Sequence, residues 1–479
     1  MPAAPSVPPP PAPPAPAPTP GPAIDFDLLR KYDQPVPRYT SYPTAPQFTP
    51  ATPAADLLAA LQADTADSTR PASLYFHLPF CESRCWFCGC TTVITRRHAA
   101  ADPYLDDLER ELDLLRPWLN PAQAITQLHF GGGSPTFLNP RQIERLGALI
   151  HSRHSLDPAA ECSVEIDPRR LTPEQALAYH ALGCRRASLG VQDTDPRVQI
   201  AIHRYQPFEQ TRRAFELLRE TGYTSISVDL IYGLPYQTPA SFARTLEEVL
   251  RLRPDRLAVF SYAHVPWLKP AQRILERDRA LPSPDEKLRL FALALRTLTA
   301  AGYIHIGMDH FARADDELAR ALRAGTLQRN FQGYSTRAGA SIHAFGMSSI
   351  SQTGHSYRQN TRDLSAYREQ LAAGRLPLER GLVLGEEDLR RRRIIMALMC
   401  GRRLDFPALS AEFGRDFASA YAGELASLDD LAADGLLVRR PDSIELTPTG
   451  VLLVRVVAAR FDAYLEAGRA PDKRFSRAV

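Results

Sequence analysis

Six short β-rich runs alternate with helix-like segments through the middle of the chain: SLYFHLPF (73–80), ITQLHF (125–130), ECSVEID (161–167), RASLGVQ (186–192), SISVDLIYG (225–233) and RLAVFSYA (256–263). This alternation narrows the fold more than any other feature. One intervening helix is predicted from Asp102 as N-cap and Pro103 in the first turn, with Leu105, Leu108, Leu112, Leu115 and Leu119 on one apolar face. Similar segments follow Pro140, Pro173, Pro207 and Pro239. A strand and a helix recurring roughly every 30 to 50 residues is the pattern of βα units around a parallel sheet. Six such units predict an α/β fold, an open partial (β/α)6 barrel rather than the closed barrel of eight.

The strands carry a second signal. Ser163, Glu165 and Asp167 share one face against Cys162, Val164 and Ile166; Ser188, Gly190 and Gln192 oppose Ala187, Leu189 and Val191; Ser227 and Asp229 oppose Val228 and Leu230. A barrel filled by its own side chains should carry bulky branched residues inside. If the apolar faces pack under helices, the polar faces line a lumen that holds a polar ligand. An antiparallel sheet with one wet face also alternates, but the helices between the strands favour crossovers.

Four of the seven cysteines fall in HLPFCESRCWFCGC (77–90). Cys81, Cys85 and Cys88, spaced Cys-x3-Cys-x2-Cys, sit on a loop leaving the first strand, where three sulfurs can converge. Soft thiolates suit zinc or iron-sulfur, and three ligands leave one iron of a 4Fe-4S cluster open for chemistry. Zinc would want a fourth ligand, for which Cys90 and His77 are the candidates, Cys90 only through an awkward turn. Cys162, Cys184 and Cys400 are scattered, so no secreted disulfide framework is indicated and a reduced, cytoplasmic setting is expected. Net charge is only +3 with signs interspersed, which gives no basic face for nucleic acid. No apolar run of about 18 residues predicts a membrane span. The Pro/Ala-rich start, residues 1–24, reads as an extended, disordered extension rather than a secretory signal.

CESRCWFC resembles the signature of the radical S-adenosylmethionine (SAM) superfamily, with Phe87 as the aromatic before the third cysteine. The likeness extends through YDQPVPRYTSYPTA (32–45), YFHLPFC (75–81), CGC (88–90), HFGGGSPTFL (129–138), VEIDPR (164–169), GVQD (190–193), DLIYGLP (229–235), GMDHFA (307–312) and NFQGY (330–334), all similar to the oxygen-independent coproporphyrinogen III oxidase family. That resemblance implies oxidative decarboxylation of two propionates of coproporphyrinogen III to vinyl groups in heme synthesis, through a 5′-deoxyadenosyl radical. It implies Cys81, Cys85 and Cys88 as cluster ligands and two bound SAM molecules. Tyr75, Gly132 and Glu165 match contacts to the first SAM; Phe87, Gly133, Ser134, Gln192, Arg204, Asp229, Ala263 and Ile350 match contacts to the second. Cys90 matches a cysteine that is associated with activity and is not a ligand. Ser134 stands where the family commonly has threonine and keeps the hydroxyl. The resemblance further implies a reduced flavodoxin or ferredoxin as electron donor, a monomer, and activity only without oxygen. Heme-chaperone-like relatives share the three-cysteine motif but usually lack Cys90 and the RYTSYPTA arm, both present here.

Taken alone, GGGSP is either a plain tight turn or a glycine run that lets the backbone approach a ligand, and it lacks the ending of a phosphate loop; Asp229 is a buried carboxylate or cap, and Arg204 a surface or ion-pair arginine. Recognition of a substrate with four propionates calls for cationic and hydrogen-bonding groups. Arg38, Tyr39, Thr40 and Tyr42 in the arm, with Arg474 and Arg477, are candidates by position and chemistry. RRRR at 390–393 reads as an exposed helix face. The expected organisation is an N-terminal arm over 25–70, the catalytic barrel over 71–364 and a helical, winged-helix-like domain over 365–479, acting as a lid or in substrate binding rather than on DNA. Two other classes stand beside the decarboxylase: a heme-binding or heme-transfer protein on the same scaffold, and a structural zinc or electron-transfer protein.

Overall fold

The computed structural model describes residues 24–66, 70–337, 339–465 and 475–478. The Pro/Ala extension, Ile24 excepted, and the substrate candidate Arg474 lie outside the described residues. Six strands run parallel and side by side in chain order: β1 (Ala72–Leu78), β2 (Ile125–Gly132), β3 (Leu156–Ile166), β4 (Arg186–Gln192), β5 (Ser225–Tyr232) and β6 (Arg256–Ser261). Next to β6 lies an antiparallel hairpin, β7 (Tyr303–Gly307) and β8 (His310–Arg313), with β8 on the β6 side. On the other side of β1, β9 (Ser341–Phe345) is parallel to it, and β10 (Ile350–Gln352), β11 (Ser356–Asn360) and β12 (Leu378–Val383) follow antiparallel. The result is one twelve-stranded sheet whose two ends do not pair, a partial barrel with an open seam.

Four of the helices share one starting device. Asn139, Thr172, Thr238 and Ser283 each cap a helix whose next residue is proline, and the residue three positions on returns a hydrogen bond to the cap. Proline fixes the first helical φ without losing a needed donor, so each strand-to-helix turn stops at one defined residue. The leucine-faced helix runs over Asp102–Leu115, but Asp102 is its first residue and not its N-cap. Its carboxylate instead accepts from Gln142 Nε2 at 2.8 Å, tying this helix to the next one.

Pairing register fixes what the lumen sees. Tyr75, His129, Ser163 and Arg186 are successive partners across β1 to β4, and paired residues of parallel strands face the same way. The polar faces read from the sequence therefore point inward, while Leu74, Phe76, Leu128, Phe130, Val164 and Leu189 are buried beneath the helices. The deep end of the lumen is plugged by charge pairing: Arg186 meets Glu161 and Glu317, and Arg256 meets Asp316 and Glu317. The end from which the cysteine loop departs is left for ligands.

The boundary expected near 365 falls later. Helix Leu364–Ala372 packs on the Asp102–Leu115 helix, and β12 pairs with β11 in the main sheet, so the barrel continues to Val383. The domain beyond it combines helices such as Glu386–Met396 with a three-stranded sheet. Its apolar residues join the same contiguous core as the barrel. Arg455, buried in this domain, donates to the carbonyls of Val36, Pro37, Ser476 and Arg477, clamping the N-terminal arm to the C-terminal segment. Among the described residues no helix is long and apolar enough to cross a membrane.

Candidate active site

The cysteine loop leaves β1 and is docked from both sides. The Trp86 N–H donates to the Ile202 carbonyl at 3.0 Å, the Trp86 ring stacks on His203 at 4.9 Å, and His203 Nδ1 bonds the Arg84 carbonyl. Phe87 packs among Val198, Ile202, Ile231 and Leu234. Gln272 Nε2 donates to the carbonyls of both Phe87 and Ala263, which brings these two positions together.

Two arginines face the cysteines. Arg204 NH1 lies 3.6 Å from Cys85 Sγ and Arg169 NH2 3.9 Å from it. Both also hold Asp167, whose carboxyl is kept well below the usual range: burial pushes it up, and the charges of Arg204 and Arg169 overcome that. Arg204 is buried, donates to the Gly190 carbonyl at 2.6 Å, and leaves its Nε without a partner. Burial, with the neighbouring Cys88 and Cys85, pushes the Cys81 thiol up to about 12. Cys88 is held down to about 6 by hydrogen bonding from Cys90, with Lys269 and Arg204 nearby, whereas donation to Cys88 pushes the Cys90 thiol well above its usual range. The Cys90 N–H lies 3.4 Å from Cys88 Sγ. Cys90 is thus oriented on its neighbour, on the exposed side of the loop.

The donor set fits an iron-sulfur cluster. Three thiols distributed along one loop, with guanidinium groups to favour the thiolates, suit the wider span of a multi-iron centre.

Beside the loop, Glu165 accepts from the Gly132 N–H at 3.1 Å and faces His129 Nε2 at 3.5 Å. Burial pushes its carboxyl up, but His129 and the Gly132 N–H hold it below the usual range. Tyr75 stacks on His129 at 5.7 Å and meets His77 Nδ1 at 3.3 Å. The glycine run is more than a turn. A Cβ on Gly131 would strike the Glu165 carboxylate at 2.8 Å, and one on Gly133 would lie 2.6 Å from the Pro79 carbonyl oxygen. The Gly133 and Ser134 N–H groups bond the carbonyls of Leu78 and Phe80, so the run is pinned to the start of the cysteine loop. The Ser134 hydroxyl is buried against Thr136 at 2.9 Å.

Across the lumen, Asp229 accepts from Ser188 at 3.0 Å, and burial raises its carboxyl to about 7. Gln192 ends β4 in the left-handed region at φ 70°, its amide filling, with Arg204, the space that Gly190 leaves empty. Ile350 lies on the lumen side of the sheet extension, against the Phe48, Tyr357 and Leu384 cluster. His129 and Arg169 are functional neighbours the sequence reading did not single out, whereas Asp167 shares the lumen face read for Glu165. His129 sits on the polar face of ITQLHF by the same alternation that marked Glu165, so a signal was present.

The mouth is a cavity of about 350 Å³ at the end of β6, enclosed by the arm and the C-terminal segment. Arg38, Lys287, Arg455 and Arg477 line it with Trp267 and Tyr262. Arg38 is paired with Asp309, Arg477 with Asp33, and Arg455 is spent on carbonyls. Among the described residues Lys287 donates to the Tyr262 carbonyl, at 3.2 Å, and burial lowers its pKa against the pull of Asp33. Tyr39 and Tyr42 are not in this wall: both are buried, Tyr39 donating to Asp462 and Tyr42 accepting from the Ala463 N–H, so they fasten the arm instead. RRRR is only partly an exposed face, because Arg391 bonds Glu387 and Glu424 and Arg392 reaches the carbonyls of Thr353 and Gly354.

Residues 75–249 match the family model of the radical SAM superfamily, and residues 384–453 match that of the HemN C-terminal domain. The chain is 45% identical over 457 residues to oxygen-independent coproporphyrinogen III oxidase of Pseudomonas aeruginosa, covering 95% of this chain and 98% of that protein. It is 42% identical to the Synechocystis protein of the same name, over 96% of this chain and 99% of that one. The solved structure of coproporphyrinogen III oxidase from Escherichia coli, described as a radical SAM enzyme, superposes with a TM-score of 0.88 at 42% identity, over 92% of this chain and 99% of that one.

Proposed function

The chain belongs to the family of oxygen-independent coproporphyrinogen III oxidases, and from that membership we propose how its residues convert two propionates of coproporphyrinogen III to the vinyl groups of protoporphyrinogen IX. When bound, a 4Fe-4S cluster carrying SAM supplies the radical that takes hydrogen from a propionate β-carbon. Cys81, Cys85 and Cys88 hold that cluster, and Arg204 and Arg169 offset the thiolate charge. Glu165, aimed by His129 and the Gly132 N–H, stays ionised to receive the ammonium group of SAM. Asp229 and Gln192, across the lumen, take the hydroxyl and amide contacts of a second SAM molecule.

Substrate carboxylates enter at the basic mouth, where among the described residues the Lys287 ammonium forms no ion pair, feeling Asp33 only at a distance, and Arg38 shares Asp309. The arm over this mouth excludes water from the reacting carbon. Cys90, outside the ligand set but hydrogen-bonded to it, acts on the substrate side. A reduced flavodoxin or ferredoxin delivers the electron, and the protein works as a monomer in the cytoplasm.

One observation carries this reading: a cysteine loop docked so that Cys85, Arg204 and Asp167 meet beside Glu165 on the lumen face. The test is an anaerobic assay of the reconstituted protein with dithionite, SAM and coproporphyrinogen III, following 5′-deoxyadenosine and porphyrin products. We expect both from the parent, and loss of decarboxylation in Cys90→Ser with cluster absorbance retained. Deoxyadenosine without decarboxylation in the parent, together with tight heme binding, would favour heme transfer instead.

A further inference from the structure

A second basic cavity lies away from the active site. It has a volume of about 390 Å³, and Arg70, Arg329, Arg337, Arg392 and Arg393 line it together with Glu412, its one carboxylate. Arg70 precedes β1 and Arg337 precedes β9, so the cleft opens at the opposite end of these strands from the cysteine loop. Its other wall is the Glu386–Met396 helix of the C-terminal domain, which contributes Leu389, Arg392, Arg393 and Met396.

Among the described residues the arginines of the cleft outnumber the carboxylates beside them, Asp64 being taken by His355. Arg393 takes Glu412 for itself. Arg392 has only the carbonyls of Thr353 and Gly354, and Arg337 NH2 has only the Ala159 carbonyl at 3.0 Å. Arg329 is 5% exposed and lies over the Tyr334 ring at 4.8 Å; among the described residues its one hydrogen bond is to the Arg38 carbonyl at 3.4 Å, and Nε and NH1 have no hydrogen-bond partner. A buried guanidinium with no counter-charge is costly. In the adjoining cavity beneath the lumen, Arg186, Arg256 and Arg313 are met by Glu161, Asp316 and Asp315, and Arg337, which lines both cavities, lies within reach of the Glu161 charge; Arg392 and Arg329 have no such carboxylate among the described residues. Among polar side chains the cleft thus offers donors in excess of acceptors, a composition suited to phosphate or clustered carboxylates.

We infer that this cleft binds a compact polyanion, bearing phosphate or several carboxylates, which bridges the foot of the barrel to the first helix of the C-terminal domain. The site is separate from the mouth. None of the cationic residues around the mouth, Arg38, Lys287, Arg455 and Arg477, lines the cleft, although the charge of Arg329 reaches Arg38 and Arg455 through the wall between the two cavities. A ligand that binds the folded state alone stabilises it in proportion to its saturation, so the bridge is read as a rise in unfolding temperature.

The experiment titrates full-length protein with inorganic pyrophosphate and, separately, with citrate, by calorimetry and by thermal unfolding at constant ionic strength. We expect saturable binding in the millimolar range or tighter, with a rise in unfolding temperature. Affinity should fall about tenfold or more in Arg392→Gln and in Arg70→Gln, and remain unchanged in Lys287→Ala. Pyrophosphate acting alone assigns a phosphate ligand, citrate alone a carboxylate one, and both together a site that reads charge only. Unliganded unfolding of each variant shows that the fold is kept. The inference is overturned if neither probe saturates, or if Lys287→Ala weakens binding while Arg392→Gln and Arg70→Gln leave it unchanged.

Discussion

At the scale of single residues, the lumen holds carboxylates of opposite temper. Glu165 is held ionised by His129 and a backbone N–H, while Asp229, with Ser188 as its hydrogen-bond partner, has its carboxyl raised to about 7. A raised carboxyl contributes stability that is fully present below the unfolded pKa, near 4, and is lost as pH rises through about 7. Asp229→Asn keeps an acceptor for Ser188 and removes this titration. We expect the variant to gain on the parent by on the order of 1–2 kcal/mol at pH 8 and to gain little at pH 4; equal differences at the two pH values in thermal unfolding would refute it. Glu165, Gln192 and Asp229 were legible because strand alternation turns them inward. Lys287 and Gln272 were not: they come from the segments that follow β6, far from any strand period, and only the folded chain brings them to the mouth and to Phe87.

Among elements, the glycine run after β2 separates two effects that a sequence reading merges. A Cβ at Gly131 meets the movable end of Glu165, whereas a Cβ at Gly133 meets the fixed carbonyl of Pro79. Gly133→Ala should therefore cost roughly 2 kcal/mol or more in chemical denaturation, because backbone must shift. Gly131→Ala should leave stability within about 0.5 kcal/mol and weaken SAM binding, read by equilibrium dialysis. Similar stability losses in both variants would show that the distinction is wrong. The six βα units were legible from proline-started helices and β-branched runs. The flanking strands β7 to β12 were not, because segments such as Ile350–Gln352 are too short to show a period and take their place from pairing alone. The late domain boundary follows from the same fact, since β12 is recruited by β11.

For the molecule as a whole, the open seam of the sheet makes the arm and the C-terminal segment part of the active-site wall. Arg455 holds both through backbone carbonyls. Arg455→Met should release the arm to limited proteolysis and raise KM for coproporphyrinogen about tenfold, with SAM affinity unchanged; an intact arm and an unaltered KM would refute that role. The same clamp has a meaning in time. The Val36 N–H finds its acceptor at Ser476, and Asp33 meets Arg477, which the ribosome adds 444 positions later. The strands that carry the cysteine loop are therefore made long before the wall above them can be fastened. In order of synthesis the cysteine loop precedes, by most of the chain, the two residues whose contacts close the mouth above it.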